Sequence, residues 1–314
     1  MKKNILITGS LAFDYIMDFP QTFEENILPD KLKTLSVSFL AQNFSKNYGG
    51  VAGNIAYNLG VLNQSSIVLA CCGHDSQTYK NHLQKKGVDI RYIKETDDFT
   101  ANMFMITDKN NCQIAAFYPG AMSKDEDLII NKINEKIDLT VISPTVPNAM
   151  KNFVKEAKKL KIPYLYDPAQ QIPRIDVNDL KEGIEGAEIL IGNDYEFALI
   201  SKKTGFSKKD ILKKVKILVT TLGEKGSLIE TKKEQIKIGI AKPEKIIDPT
   251  GAGDAYIGGF LSGYVKNLSL ETCGQMGAVL SSFAIEQYGT QKHSFSINQF
   301  KRRYKKTFKK PIEL

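Results

Sequence analysis

Short apolar runs recur along the chain, at residues 4–8, Ile67–Ala70, Leu139–Ile142, Pro163–Tyr166, Ile189–Ile191 and Ile217–Thr220. Each is short and almost continuously apolar, the pattern of a strand buried on both faces. Between several of them the spacing lengthens to that of a helix, as in Asn148–Leu160 and Tyr195–Lys202. Strand and helix in alternation predict a mostly parallel sheet covered on both sides. Two places break the rhythm. Residues 12–19 and 35–45 read as strands with no good helix between them. Residues 101–107 and 112–118 alternate around Asp108-Lys-Asn-Asn111, a hairpin signal. These four predicted strands form a small β lid, near residues 12–45 and 101–118. The expected fold class is α/β, one domain over residues 1–314, with no internal repeat or linker.

Composition narrows the picture. Apolar residues make up 42% of the chain, enough for a full core, and no run is long enough to span a membrane. The first residues, Met-Lys-Lys-Asn-Ile-Leu-Ile-Thr-Gly, carry the charge of a short signal peptide. Asn4, Gly9 and Asp14 interrupt any apolar stretch, so a buried strand is the better reading. The four cysteines, Cys71, Cys72, Cys112 and Cys273, and three histidines show no metal-ligand spacing. A reduced, cytoplasmic setting is expected. The net charge of +8 sits mostly in residues 301–314, where seven Lys/Arg face one Glu. A solvated basic last helix is the favoured reading, ahead of a nucleic-acid-binding tail.

The chemistry concentrates in Asp248-Pro-Thr-Gly-Ala-Gly-Asp254, followed by small and apolar residues to Val265. A glycine-rich turn opening a helix leaves N–H groups free and adds the positive end of the helix dipole. That is an anion site, most naturally for phosphate. A carboxylate there repels phosphate, unless Asp254 takes a proton from a hydroxyl that attacks a phosphoryl group held by the turn. A helix cap is the plain alternative for Asp254. The loop is not a Walker A sequence, and Tyr256 stands where a dinucleotide fingerprint needs its third glycine.

Other candidates lie upstream. Asp14 follows the first strand, where a carboxylate can accept two hydrogen bonds from a vicinal diol. By itself it also reads as a loop aspartate. Gly49-Gly50-Val-Ala-Gly-Asn54 permits close backbone approach, and Asn54 can donate and accept to hydroxyls. Phe13, Met103, Met105 and Phe117 in the predicted lid can pack on a nucleobase, although such stripes are more often core. Asn193-Asp-Tyr-Glu196 reads equally well as a helix cap with a first-turn acid.

The order of these motifs resembles the ribokinase-like (PfkB) family of sugar and nucleoside kinases, over about residues 4–300. The resemblance implies a three-layer α/β/α fold with a mostly parallel sheet and a β lid. It implies ATP-dependent phosphorylation of a primary alcohol, with Asp254 as base and the N–H groups around Gly251, Ala252 and Gly253 holding the moving phosphoryl group. Substrate would lie against Asp14, Gly49, Gly50, Asn54, Phe13, Met105 and Phe117. ATP would meet Asn193 and the Thr221-Leu-Gly223-Glu-Lys225-Gly226 loop, which alone reads as a hairpin turn. Mg²⁺ would be held by Glu196 through water. Asp248, Thr250, Ala284, Gln287 and Gly289 match the family's monovalent-cation (K⁺) positions. Val51-Ala52, where ribokinases carry Lys-Gly, looks like the nucleoside-kinase branch. Tyr118-Pro-Gly-Ala-Met122 and Gly289-Thr-Gln291 resemble bacterial adenosine-kinase-like members, and Ser143-Pro-Thr lacks the Glu that holds a free pentose. The expected reaction is phosphorylation of a nucleoside, adenosine first, at its 5′-hydroxyl. A ribose- or fructose-type sugar kinase and a non-catalytic nucleoside-binding regulator are the alternatives. A homodimer through the lid is expected, with no membrane or nucleic-acid partner.

Overall fold

A computed structural model describes residues 3–314, so the first two residues of the expected 1–314 domain lie outside the described residues. The chain opens with strand β1 (Ile5–Thr8) and runs into β2 (Ala12–Asp18). A single-turn helix, α1 (Phe23–Asn26), and an irregular stretch lead to β3 (Asn43–Gly49). Then come α2 (Val51–Val61), β4 (Ser66–Gly73), α3 (Gln77–Gln84), β5 (Val88–Asp89), β6 (Ile93–Thr96), β7 (Ala101–Thr107) and β8 (Gln113–Tyr118). Strands and helices next alternate as β9 (Leu139–Ile142), α4 (Pro147–Lys159), β10 (Tyr164–Tyr166), α5 (Val177–Ile184), β11 (Ile189–Asn193), α6 (Asp194–Thr204), α7 (Lys208–Lys214) and β12 (Ile217–Thr221). The hairpin strands β13 (Ser227–Glu230) and β14 (Gln235–Ile238) precede three helices, α8 (Ala252–Tyr264), α9 (Leu270–Ala284) and α10 (Ile297–Phe308).

The large sheet runs β14-β13-β12-β11-β10-β9-β1-β4-β5, with β6 also paired to β4. Its strands are parallel from β12 to β5, and only β13 and β14 run antiparallel. Alternate residues of each strand enter different cores. Ile5 and Ile7 pack with α2 and α8, whereas Leu6 packs with α4 and α5. That is why these strands read as unbroken apolar runs. A third apolar cluster joins α8, α9 and α10, where Phe300 and Tyr304 anchor the basic last helix. The expected solvated terminal helix is therefore present, with Lys305 and Lys306 on its exposed side.

The four segments outside the rhythm form one separate sheet, β3-β2-β7-β8. One boundary differs from expectation. Residues 35–42 are not strand, although Leu35, Val37 and Phe39 alternate like one. The partner strand β2 ends opposite Asn43, at Asp18, so only the Gln42 N–H finds an acceptor there, the Asp18 carbonyl. Phe39 instead packs on Phe19 and Phe23.

Candidate active site

The parallel strands deliver their C-terminal ends to one edge, where α/β sheets hold ligands. Asp14 follows β1, Ser143 follows β9, Asp167 follows β10, and Asn193 and Thr221 end β11 and β12. The start of α8 faces them. A cavity of about 240 Å³ is lined by Asp167, Asn193, Glu196, Thr221, Gly253 and Asp254, among others. Larger surface clefts, about 640 Å³ beside α10 and about 700 Å³ near Lys3, carry no such convergence of carboxylates.

Gly251 caps α8 in the left-handed conformation, φ 78°, which favours glycine. A Cβ there would also stand 2.8 Å from Thr290 Cγ2. The expected anion cradle is narrower than the sequence suggested. The Ala252 N–H is taken by the Pro249 carbonyl at 3.2 Å, because residues 249–252 close a tight turn. Among the described residues the Gly251 and Gly253 N–H groups meet no backbone acceptor, and Gly253 borders open space.

Asp254 sits in the first turn of α8, and Asn54 Nδ2 donates to its Oδ2 at 2.7 Å. Burial pushes the Asp254 carboxyl up to about 7; the Asn54 bond opposes the rise, and charge on Glu196 and Asp14 adds to it. Asp14 rises to about 6, through burial first and Asp248 second. Its place depends on Gly49, where a Cβ would meet Asp14 Oδ2 at 2.2 Å. Gly50, with φ 81°, lets the chain turn from β3 into α2 against the Ser10 carbonyl.

Asn54 is also held by groups of the protein itself. It is buried, and its Oδ1 accepts from Thr290 Oγ1 (2.7 Å) and Gln291 Nε2 (2.9 Å) while its Nδ2 serves Asp254. These bonds turn one Nδ2 proton toward Asp254, and the amide carries a second.

On the other wall, Asn193 caps α6 by accepting from the Glu196 N–H, and Glu196 reaches back to the Asn193 N–H, both at 2.8 Å. The helix-cap reading thus holds, and both residues still line the cavity. Burial raises the Glu196 carboxyl, and the Asn193 N–H lowers it. Asp167 was not singled out from sequence. It is buried, and burial, then Glu196 and Asp254, push its carboxyl well above the usual range. The available signal was a carboxylate downstream of a buried strand, immediately so for Asp167 and six residues on for Asp14.

Of the expected ATP loop, only Thr221 lines the cavity. Gly223, Lys225 and Gly226 form the turn between the antiparallel strands β12 and β13, with Lys225 exposed. Asp248 accepts from Thr250 N–H and Gly289 N–H, both at 2.9 Å, and its own N–H reaches the Ile285 carbonyl. Ala284 and Gln287 belong to the same turn after α9, the Ala284 carbonyl accepting from the Gln287 N–H.

In the small sheet, Asp14, Met103 and Phe117 are cross-strand neighbours, and Ile16 and Met105 follow two residues on. Met105 and Phe117 therefore share the Asp14 face. Phe13 does not. It points to the opposite face, fully buried against Tyr48 and Tyr79, so it is core and not a platform for a base.

Residues 8–297 match the pfkB family carbohydrate kinases. A nucleoside kinase of Methanocaldococcus jannaschii is 34% identical over 293 residues, 92% of each chain. The structure of Burkholderia thailandensis nucleoside kinase in complex with inosine superposes with TM-score 0.88 at 31% identity, covering 98% of this chain and 99% of that one. The same enzyme in complex with ADP-inosine gives 0.86 at 32% identity, over 98% and 97%.

Proposed function

The chain belongs to the pfkB family of carbohydrate kinases, and we propose that it transfers the terminal phosphoryl group of ATP to the 5′-hydroxyl of a nucleoside, adenosine first. The observation that carries this reading is Asp254, a carboxylate held by Asn54 at a helix start and facing a cavity with Asp167, Asn193 and Glu196 on its far side.

Asp14 receives the sugar hydroxyls, with Met105 and Phe117 on the same face of the small sheet. Asp254 takes the proton of the attacking hydroxyl as its oxygen forms the bond to phosphorus and the bridging P–O bond of ATP breaks. The Gly251 and Gly253 N–H groups hold the negative charge on the moving group. Asp167 and Glu196 would hold Mg²⁺, Glu196 through water: burial pushes up both carboxyls and the Glu196 charge adds to Asp167, which a divalent cation would relieve. When bound, Mg²⁺ neutralises charge on the phosphate oxygens. Positioning and electrostatics account for catalysis, and closure of the small sheet excludes water.

A nucleoside acceptor is supported by the two nucleoside kinases just described, one of them bound to inosine. Ser143 supports it too: fully buried, it donates to the Thr8 carbonyl at 2.7 Å and offers no carboxylate to a free pentose. Asp248 keeps lone pairs beyond its two N–H bonds, so it would hold K⁺ beside the turn after α9. Two chains pair through the outer face of the small sheet, where Tyr15 stacks between Phe44 and the exposed Phe104.

The test is ADP release from Mg-ATP across adenosine, other nucleosides, ribose and fructose, with and without K⁺. A nucleoside gives the highest kcat/KM, adenosine ahead. Faster turnover of ribose or fructose would overturn the nucleoside reading.

A further inference from the structure

A run of buried hydrogen bonds leads from Asp254 to the hinge of the small sheet. Asn54 Nδ2 lies 2.7 Å from Asp254 Oδ2. Gln291 Nε2 lies 2.9 Å from Asn54 Oδ1 and 2.6 Å from the Tyr79 hydroxyl. That hydroxyl is 2.6 Å from the Gly49 carbonyl, at the end of β3. Thr290 Oγ1 joins from the side, 2.7 Å from Asn54 Oδ1 and 2.9 Å from the Tyr48 carbonyl. Asn54, Tyr79, Thr290 and Gln291 are all buried.

The direction of every bond follows from one end. A carbonyl only accepts, so Tyr79 donates its single proton to Gly49. The Tyr79 oxygen can then only accept from Gln291, which fixes the Gln291 amide with its NH₂ toward Tyr79 and Asn54. Facing that NH₂, Asn54 must present Oδ1, so the one Thr290 proton goes to Oδ1 in competition with the Tyr48 carbonyl. Its NH₂ is left for Asp254. A donor at this point favours the ionised carboxylate, the form a base needs, whereas a flipped amide would favour the protonated one. The Gly49-Gly50 turn at the other end is where the small sheet joins the body.

We propose that Thr290, Gln291 and Tyr79 are positioning residues that fix the orientation of the Asn54 amide and tie the base Asp254 to the hinge of the small sheet. The proposal rests on Asp254 acting as the base. None of the three touches the reacting atoms; they act through Asn54. The titratable groups facing Asp254 are Glu196, Asp14 and Asp167, and Tyr79 and His82 flank Gln291. A change at Thr290 leaves all of these in place.

The experiment measures kcat, KM for the nucleoside and the pH profile of kcat for Thr290→Val, Thr290→Ser, Tyr79→Phe and Asp254→Asn. Thr290→Val and Tyr79→Phe each lower kcat roughly tenfold, the factor expected for one buried hydrogen bond, and change KM much less. Their acid limb moves to higher pH. Thr290→Ser restores the hydroxyl and recovers most of kcat. If Thr290→Val and Tyr79→Phe keep the native kcat and acid limb, the positioning role is wrong. It is also wrong if Thr290→Val and Thr290→Ser are equally impaired, because packing then explains the loss. If Asp254→Asn itself stays active, the base assignment fails, an outcome separate from both.

Discussion

As the proposed base, Asp254 combines two requirements that pull apart: it must be dry enough to hold a proton and polar enough to release one. Burial lifts its carboxyl to about 7, and the Asn54 donor restrains the rise. A base works when deprotonated, so the active fraction grows as pH rises through about 7 and is lost below it. We therefore expect kcat/KM to climb through neutrality and level off above it. A profile already flat at pH 5 would mean that Asp254 does not limit the reaction. Asp14 is lifted to about 6, so in its proposed role it adds a loss of sugar binding on the acid side. Both aspartates were legible in the sequence because the residue type alone carries the chemistry. The role of Asn54 was not. An amide can donate or accept, and only its neighbours Thr290 and Gln291, more than two hundred residues away, decide which.

Among the elements, α6 shows how one motif serves structure and site together. Asn193 and Glu196 cap each other's N–H groups and still border the cavity. The two roles separate by substitution. Asn193→Ala loses the cap and about 1 kcal/mol of stability. Asn193→Asp keeps the cap but sets a third carboxylate beside Asp167 and Glu196. KM for ATP should then rise about tenfold or more, at roughly 1.4 kcal/mol per factor of ten. Native KM with Asn193→Asp would confine the motif to capping. Strand parity is the other lesson at this scale. Alternation predicted β2, and Asp14 on one face sends Phe13 to the other, so the two could not both face substrate. Residues 35–42 carried the alternation of a strand but had no partner left to pair with.

Across the whole molecule, sheet order gathers the site. Because β1 lies between β9 and β4, the chain end that carries Asp14 emerges beside Ser143, and the neighbouring strands bring Asp167, Asn193 and Thr221 into line. On the face that Phe13 and Tyr15 share, the part of the small sheet beyond the buried Phe13 stays in solvent, with Phe44 64% and Phe104 42% exposed. A soluble monomer rarely keeps such a patch uncovered. By sedimentation the native protein should run as a dimer, and the Phe44→Glu, Phe104→Glu double variant as a monomer; a native monomer would remove the dimer. The sequence by itself determined the α/β class, the small separate sheet, the glycine-opened start of α8 and the aspartates 14, 248 and 254. These depend on local periodicity, backbone freedom and side-chain chemistry, which a chain displays without folding. The tertiary structure alone decided that Asn54 holds Asp254, that Asp167 joins Glu196, and that the Gly223–Gly226 turn stays outside the cavity. Those facts depend on which strand ends meet and on which partner saturates each buried polar group, and both are set by contacts distant in sequence.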